Sequence, residues 1–347
     1  MGTNIAYAQV YCTVDEIVND LGLSGDEPNL LDRIKAASKH ILNVIGNFVP
    51  IGDTRTFLAG PSQTINIFPL LEATAVTDYQ SVIAASGYRL SPMNRLWLNG
   101  PYQWIEKAAL YNSRVWPDLD SGLCWDVNGQ TIAGKWGLYE ELADLGLSVS
   151  QLIGATSLVV SNGSLLSPGM VLNIGGEQEV VTAGNGGPGS ADGTLATSLL
   201  NGTIAADDEV VTVDNGAEFH TGEVFRIGFE DFKIRKIAAN AMMCSRGWNS
   251  TIKAPHTDNA AIYIYRTYEV SRAMNGTVAA AHSNAAVSRY VIPEDVNWLV
   301  REVAGLMRMK AKVNFASKSG NSELGEAFYF NEFPRQIETI KKNYSQQ

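Results

Sequence analysis

Between residues 136 and 225 the chain holds no lysine or arginine, against 12 acidic residues. A stretch of that composition repels a phosphate backbone, which excludes it as a nucleic-acid surface. The deficit is regional. Residues 1–135 carry 9 basic and 13 acidic side chains and residues 226–347 carry 17 and 11, so the net charge of -10 divides into -4, -12 and +6. The C-terminal third suits an acidic protein surface, while a solvated face accounts equally well for the acidic middle. Cysteine is scarce too. Cys12, Cys124 and Cys244 lack the close spacing of a zinc or redox motif, and His40, His220, His256 and His282 are scattered with no HExxH cluster. Neither a catalytic metal nor a cofactor is expected. No apolar run reaches about 18 residues, and the opening MGTNIAYAQV has neither a basic segment nor an apolar one. No membrane span is expected, and the chain is expected to be made and kept in a cytosol.

With 45% hydrophobic and 18% charged residues over 347 positions, the chain reads as a soluble globular protein of two or three compact units. Thr13-Val14-Asp15-Glu16 is a capping box, and Val14, Ile17, Val18 and Leu21 are spaced as one helical face that Gly22 can end. A second helix opens near Pro28 and carries Leu30, Ile34, Ala37 and Ile41 on one stripe. Near the other end, Pro293, Glu294 and Asp295 suit a helix N-terminus, followed by Val296, Leu299, Val300, Val303 and Met307 at helical spacing. A short helix is predicted from Pro334. Each stripe is too small to be stable alone, so the terminal helices are expected to share a core holding Leu30, Ile34, Ile41, Val296, Leu299, Val303 and Met307.

Between these ends the apolar period changes from 3.6 to 2, as in Thr64-Ile65-Asn66-Ile67 and Val224-Phe225-Arg226-Ile227, with Gly, Asn, Pro and Ser separating the runs. The expected fold class is α+β: a small helical bundle made from the N- and C-terminal helices, with large inserted antiparallel β regions containing an internal repeat. The expected division is a helical pair at 1–50, an aromatic-rich β region at 51–149, an inserted β domain at 150–290, a core helix at 291–316, and a linker with a terminal arm at 317–347.

The inserted domain repeats itself. Residues 160–177 align without gaps to 213–230 at an offset of 53, with eight of eighteen positions identical, including Gly169 with Gly222 and Gly175 with Gly228. A second repeat has an offset of 26. It runs Arg246, Asn249, Thr251, His256 and then Arg272, Asn275, Thr277, His282. Asn followed by Gly or Ser is a tight-turn pair, and a nearby Thr hydroxyl can cap the loop. Because repeated chemistry needs a repeated acid-base partner and no carboxylate recurs within this motif, a structural turn is the favoured reading.

Other strings resemble chemistry less on inspection. Gly184-Asn185-Gly186-Gly187-Pro188-Gly189 matches GxGxxG, but a dinucleotide loop must lead into a helix and this one leads toward a strand-like run. Asp207-Asp208-Glu209 lacks the alternating ligands of a calcium loop. No nucleophile elbow or paired catalytic acid stands out, so no enzymatic activity is expected.

The order of features resembles the head-to-tail connector or adaptor family of tailed bacteriophages. Tyr11 to Pro50 is similar to that family's opening helical pair. Arg55-Thr56-Phe57, Ile65 to Pro69, Tyr88-Arg89-Leu90-Ser91-Pro92 and Gly134-Lys135-Trp136-Gly137 resemble its β segment. Pro293 to Asn314 with Gly325 to Tyr344 resembles its closing helix and arm. The Arg246 to His256 segment is similar to a turn motif of phage structural β modules, with Ser250 in place of a glycine in the first copy and Ala273 in the second. The likeness covers about half of the chain and leaves the 150–290 insertion without a role.

The resemblance implies a virion protein of the head-tail junction, assembled in the bacterial cytoplasm. It implies a homo-oligomeric ring, usually a dodecamer, bound to the portal protein above and to a tail, stopper or other neck protein below. Genome DNA passes through the bore without specific binding. On that reading Phe333, Arg335, Ile337, Ile340, Lys341, Lys342 and Tyr344 form a portal-docking arm. Two alternatives stand beside it: a β-rich module recognising a glycan or host surface, and a glycan-degrading enzyme, which needs a carboxylate pair that the sequence does not display.

Overall fold

The computed structural model describes residues 8–23, 29–57, 64–78, 81–91, 95–98, 130–184, 193–312, 318–319 and 328–329. They are mostly β. Among them are three α-helices, α1 (Val14–Asp20), α2 (Leu30–Val44) and α3 (Glu294–Lys312), and 21 strands in antiparallel sheets. The expectation of a helical bundle carrying inserted β regions is therefore overturned. Its error was to weigh strong capping signals at the two ends above many short strands, whose period-2 patterns are weaker one by one. The capping box itself is present: Glu16 N donates to Thr13 Oγ1 at 3.3 Å and Thr13 N to Glu16 Oε2 at 2.7 Å.

The described residues form two compact units, one of Leu42–Tyr139 and one combining the chain up to Ile41 with the chain from Glu140 onward. This division falls ahead of the change in composition near residue 150, because the strand from Glu141 belongs to the larger unit. In the smaller unit, β1 (Ile51–Phe57), β7 (Gln130–Trp136), β3 (Leu70–Asp78) and β4 (Ser81–Ile83) form one sheet in that order. The second sheet contains β2 (Thr64–Asn66), β6 (Arg95–Leu98) and β5 (Tyr88–Leu90). Ile65, Leu70, Val76, Leu96, Ile132 and Trp136 make its core. Trp136 is buried with its Nε1 donating to Asp53 O at 2.9 Å, which satisfies the one polar atom of that side chain.

The larger unit contains one fold twice, one copy inside the other. The outer module is β8 (Glu141–Gln151), β9 (Ser157–Val159), β10 (Val171–Ile174) and β11 (Glu177–Ala183), completed much later by β18 (Thr267–Ser271) and β19 (His282–Val291). The inner module is β12 (Thr194–Leu199), β13 (Val210–Thr212), β14 (Val224–Ile227), β15 (Glu230–Ala238), β16 (Ala241–Trp248) and β17 (Ala261–Ile264). Their strand orders are β8-β19-β10-β11-β18-β9 and β12-β17-β14-β15-β16-β13, the same order once each strand is exchanged for its counterpart. In the inner module Ala239 and Asn240 join β15 to β16; in the outer module the equivalent turn is replaced by the whole inner module. That nesting explains both offsets, 53 for the halves that precede the insertion point and 26 for those that come after it.

The cores repeat in step. Leu158, Val160, Leu166, Leu172, Ile174 and Val181 are buried in the outer module, and Val211, Val213, Phe219, Phe225, Ile227 and Ile234, each 53 positions later, are buried in the inner one. Phe225 and Phe232 stack with ring centroids 4.9 Å apart. An isolated bridge between Leu200 and Val213, just beyond β12 and β13, brings the ends of the two edge strands of the inner sheet together.

The helices flank this unit. Leu30, Ile34, Ile41, Val296, Leu299 and Val303 are buried and Met307 is half-buried. α1 and α3 are tied by Asn297 Nδ2, which donates to Tyr11 O at 3.0 Å and Glu16 Oε2 at 3.2 Å, and by Arg301 to Asp20 at 2.9 Å. Tyr11 N donates to Ser38 Oγ at 3.1 Å, linking α2 to the segment before α1. That segment and the first residue of α1 also strap the outer module: Ala8 N donates to Asn275 Oδ1 at 2.8 Å and Val14 N to Pro168 O at 2.9 Å. The helix expected from Pro334 lies outside the described residues.

Candidate functional site

The repeated Arg, Asn, Thr and His residues converge on a buried glutamate in each module. In the inner module Arg246 comes from the end of β16, His256 from the loop before β17, and Glu230 from the first position of β15. Arg246 Nε lies 2.9 Å from Glu230 Oε1 and Nη2 2.7 Å from Oε2. Gly247 N reaches Oε1 at 3.2 Å, and Ala254 N and His256 Nε2 reach Oε2 at 2.9 and 3.0 Å. In the outer module Arg272 Nε and Nη2 meet Glu177 Oε1 and Oε2 at 3.1 and 2.7 Å. Ala273 N donates at 3.1 Å, Ala280 N at 3.0 Å and His282 Nε2 at 2.9 Å. The two clasps match bond for bond. Each histidine bond requires the proton on Nε2, since a carboxylate only accepts.

The remaining motif residues shape the loop that brings arginine and histidine together. Thr251 Oγ1 accepts from Asp231 N at 2.9 Å and donates to Trp248 O at 2.8 Å; Thr277 Oγ1 accepts from Gln178 N at 3.0 Å and donates to Met274 O at 2.8 Å. Asn249 and Asn275 hold left-handed backbone, φ 51° and 55°. So does Gly247 at 65°, while Ala273 occupies the matching position at 53°; Ser250 at 61° stands where the other copy has Gly276 at 82°. Each copy thus has three left-handed positions, filled by one glycine, one asparagine and one further side-chain-bearing residue that is strained there.

Chemically the clasps are closed. Five donors saturate each carboxylate, and Glu177 and Glu230 are buried, so neither offers a lone pair to a substrate. Burial pushes the Glu230 carboxyl up, but the bonds from Arg246, Ala254 N and His256 outweigh it and hold it below the usual carboxylate range. Glu177 is held low in the same balance by Arg272, Ala280 N and His282.

The modules also differ in what surrounds the clasp. Inner Ile204 and Phe232 are replaced by outer Gln151 and Glu179, both buried. Phe232 packs under the Arg246 guanidinium at 5.1 Å, whereas Glu179 Oε1 lies 2.9 Å from Arg272 Nε. Burial raises the Glu179 carboxyl above its ordinary value, against the Gln151 bond and the Arg272 charge. Glu177, Glu179 and His282 are close enough for one ion to reach all three, but Arg272 already stands between the carboxylates as the cation.

A fourth buried glutamate locks the modules together. Glu223 Oε1 accepts from Arg266 Nε at 2.7 Å and from Gly163 N of the outer module at 2.9 Å, while Arg266 Nη2 donates to Glu218 O at 2.7 Å.

The chain matches no protein-family model, no curated protein and no solved structure.

The sequence motif therefore contains the right arginines and histidines, and it missed their partners. Glu177 and Glu230 are the identical last residues of the 18-residue repeat, so the recurring carboxylate was present in the other repeat. None of the helical-core residues takes part in the clasp bonds, and all seven residues of the expected docking arm, Phe333, Arg335, Ile337, Ile340, Lys341, Lys342 and Tyr344, lie outside the described residues. The GxGxxG string follows β11 and precedes β12, strands on both sides, although residues 185–192 are outside the described ones.

Proposed function

We propose that the chain is a structural assembly subunit, and specifically, on the likeness of its ends to that family, a head-to-tail adaptor in a phage neck. The observation that supports a non-catalytic role is the saturation of both clasp carboxylates: Glu177 and Glu230 each accept five hydrogen bonds that brace loops, one of them from a histidine Nε2. In this role the α-helices and the two nested modules present fixed surfaces to the portal protein, to neighbouring copies in a ring, and to a tail or stopper protein. A glycan-reading role is less supported, because Trp248, the tryptophan beside the repeats, is buried with Lys233 Nζ 4.6 Å from its ring centroid.

The test is co-sedimentation with portal-containing, tail-less heads. The intact chain should sediment with the heads and a chain lacking residues 325–347 should stay in the supernatant. Failure of the intact chain to sediment would overturn the adaptor reading, and equal sedimentation of both would remove the docking role of the arm.

A further inference from the structure

Each module pairs a glycine turn with a socket of fixed design. The turns are 167–170 and 220–223. Met170 N donates to Ser167 O and Glu223 N to His220 O, both at 3.1 Å, and Gly169 and Gly222 are left-handed at φ 95° and 92°. The sockets are Asn162-Gly163-Ser164 against Tyr265-Arg266 and Asn215-Gly216-Ala217 against Ala239-Asn240, related by the offsets of 53 and 26. Their backbones agree, since Gly163 lies against Tyr265 O and Gly216 against Ala239 O, each too close to admit a side chain. The asparagines also fold back alike, Asn162 Oδ1 accepting from Ser164 N at 2.9 Å and Asn215 Oδ1 from Ala217 N at 3.2 Å.

Three of these four surfaces are covered by the chain itself. The turn 167–170 is buried beside the start of α1, where Val14 N donates to Pro168 O at 2.9 Å and Asp15 N to Ser167 Oγ at 3.1 Å. The turn 220–223 enters the outer socket: Gly222 lies against Ser164, and Glu223 takes both the Gly163 amide and the Arg266 guanidinium. The inner socket is the fourth, and among the described residues nothing fills it. It lines a groove of about 580 Å³ together with Phe219 and Ile237. The groove is braced beforehand, because Asn215 N donates to Ser198 Oγ at 2.9 Å and the Glu218 carboxylate accepts from Thr197 N at 2.9 Å and Ser198 N at 2.9 Å. A partner therefore binds without having to order the loop.

We infer that the inner socket docks a glycine turn of a different protein, of the kind that 220–223 presents to the outer socket. The occupant is not a second copy, because both glycine turns of this chain are already engaged within it. One exchange sets its chemistry. Arg266, which neutralises Glu223 in the outer socket, is replaced at the inner one by Asn240, whose Oδ1 already accepts from Gly216 N at 3.1 Å. No lysine or arginine lines the groove. A carboxylate entering it loses water and meets no cation, so the fourth residue of the partner's turn is uncharged. The third is glycine, since the backbone at Gly222 is left-handed and a Cβ there crowds Ser164.

The experiment needs neither portal nor heads. Its probes are a peptide with the sequence of 218–225, EFHTGEVF, and a second with glutamine at the position of Glu223, each closed by a disulfide between added terminal cysteines. Closure there suits the native turn, because Phe219 and Phe225 pack with ring centroids 5.9 Å apart. Binding of the labelled peptides to the full chain is followed by fluorescence anisotropy up to about 1 mM. The glutamine peptide should bind wild type about tenfold or more tightly than the glutamate peptide, and Asn240→Arg should reverse that order. Ala217→Trp, a change at an exposed position that fills the groove, should abolish binding of both, with native circular dichroism confirming that each variant is folded. No binding by either peptide, equal binding by both, or unchanged binding to the Ala217→Trp variant overturns the inference. Self-association of the chain that Ala217→Trp removes would place a second copy in the groove and overturn it as well.

Discussion

Replacing Arg246 by methionine removes the charge of the inner clasp while keeping an unbranched apolar stem in its place. The guanidinium side chain is 1% exposed and the Glu230 side chain fully buried. The substitution strands a carboxylate away from water with only Gly247 N, Ala254 N and His256 as donors. It also leaves the Ala205, Asp208 and Ala254 carbonyl oxygens without the bonds that Arg246 gives them. Breaking a buried pair from one side costs about 3–5 kcal/mol, far above the 0–1 kcal/mol of a surface pair. Urea unfolding at pH 7 should show that loss, and hydrogen exchange should accelerate at the Gly247 and Ala254 amides. The pH dependence is a second check. Because the native environment lowers the Glu230 carboxyl below its ordinary 4.5, the stability it contributes is present above that value and disappears as pH falls through the lowered native value. The gap between wild type and variant should therefore close in acid. A loss below about 1 kcal/mol, or a gap unchanged down to pH 3, would refute the reasoning. The same change at Arg272 should cost more, since Arg272 faces two buried carboxylates.

Exchanging Gln151 and Glu179 for the isoleucine and phenylalanine of the inner module should stabilise the outer one by about 1–4 kcal/mol. It should also abolish a loss of stability that sets in as pH rises through the raised Glu179 value, measured by unfolding between pH 4 and 8. Ala273→Gly and Ser250→Gly should each gain up to about 1 kcal/mol by relieving left-handed strain, seen as a rise in Tm. Leu299→Ala should cost about 2–5 kcal/mol in urea, because that side chain is fully buried in α3.

What could be read from the sequence was local. The capping box at Thr13, the stripe of α3 and the left-handed turns at Asn249 and Asn275 depend on neighbours within a few residues, and local spacing carries that information. Both repeats were visible as well. Their meaning was not, because Glu177 pairs with residues 95 to 105 positions away and only folding brings the two offsets into one module. The balance of helix and strand was misjudged for a related reason: strands such as β9 and β13 are three residues long and stable only through partners far along the chain.

The nesting of one module in the other bears on the order in which the protein acquires its structure. β11 ends at Ala183 and β18 begins at Thr267, so a hairpin that needs a two-residue turn in the inner module spans more than 80 residues in the outer one. Closing so long a flexible loop costs about 3 kcal/mol more than closing the short turn, and non-local pairing of this kind is slow. The cost falls once the inner module is formed, because Thr194 on its first strand pairs with Ile264 on its last and the connecting ends emerge together. The inner module should fold first and act as the turn on which the outer module closes.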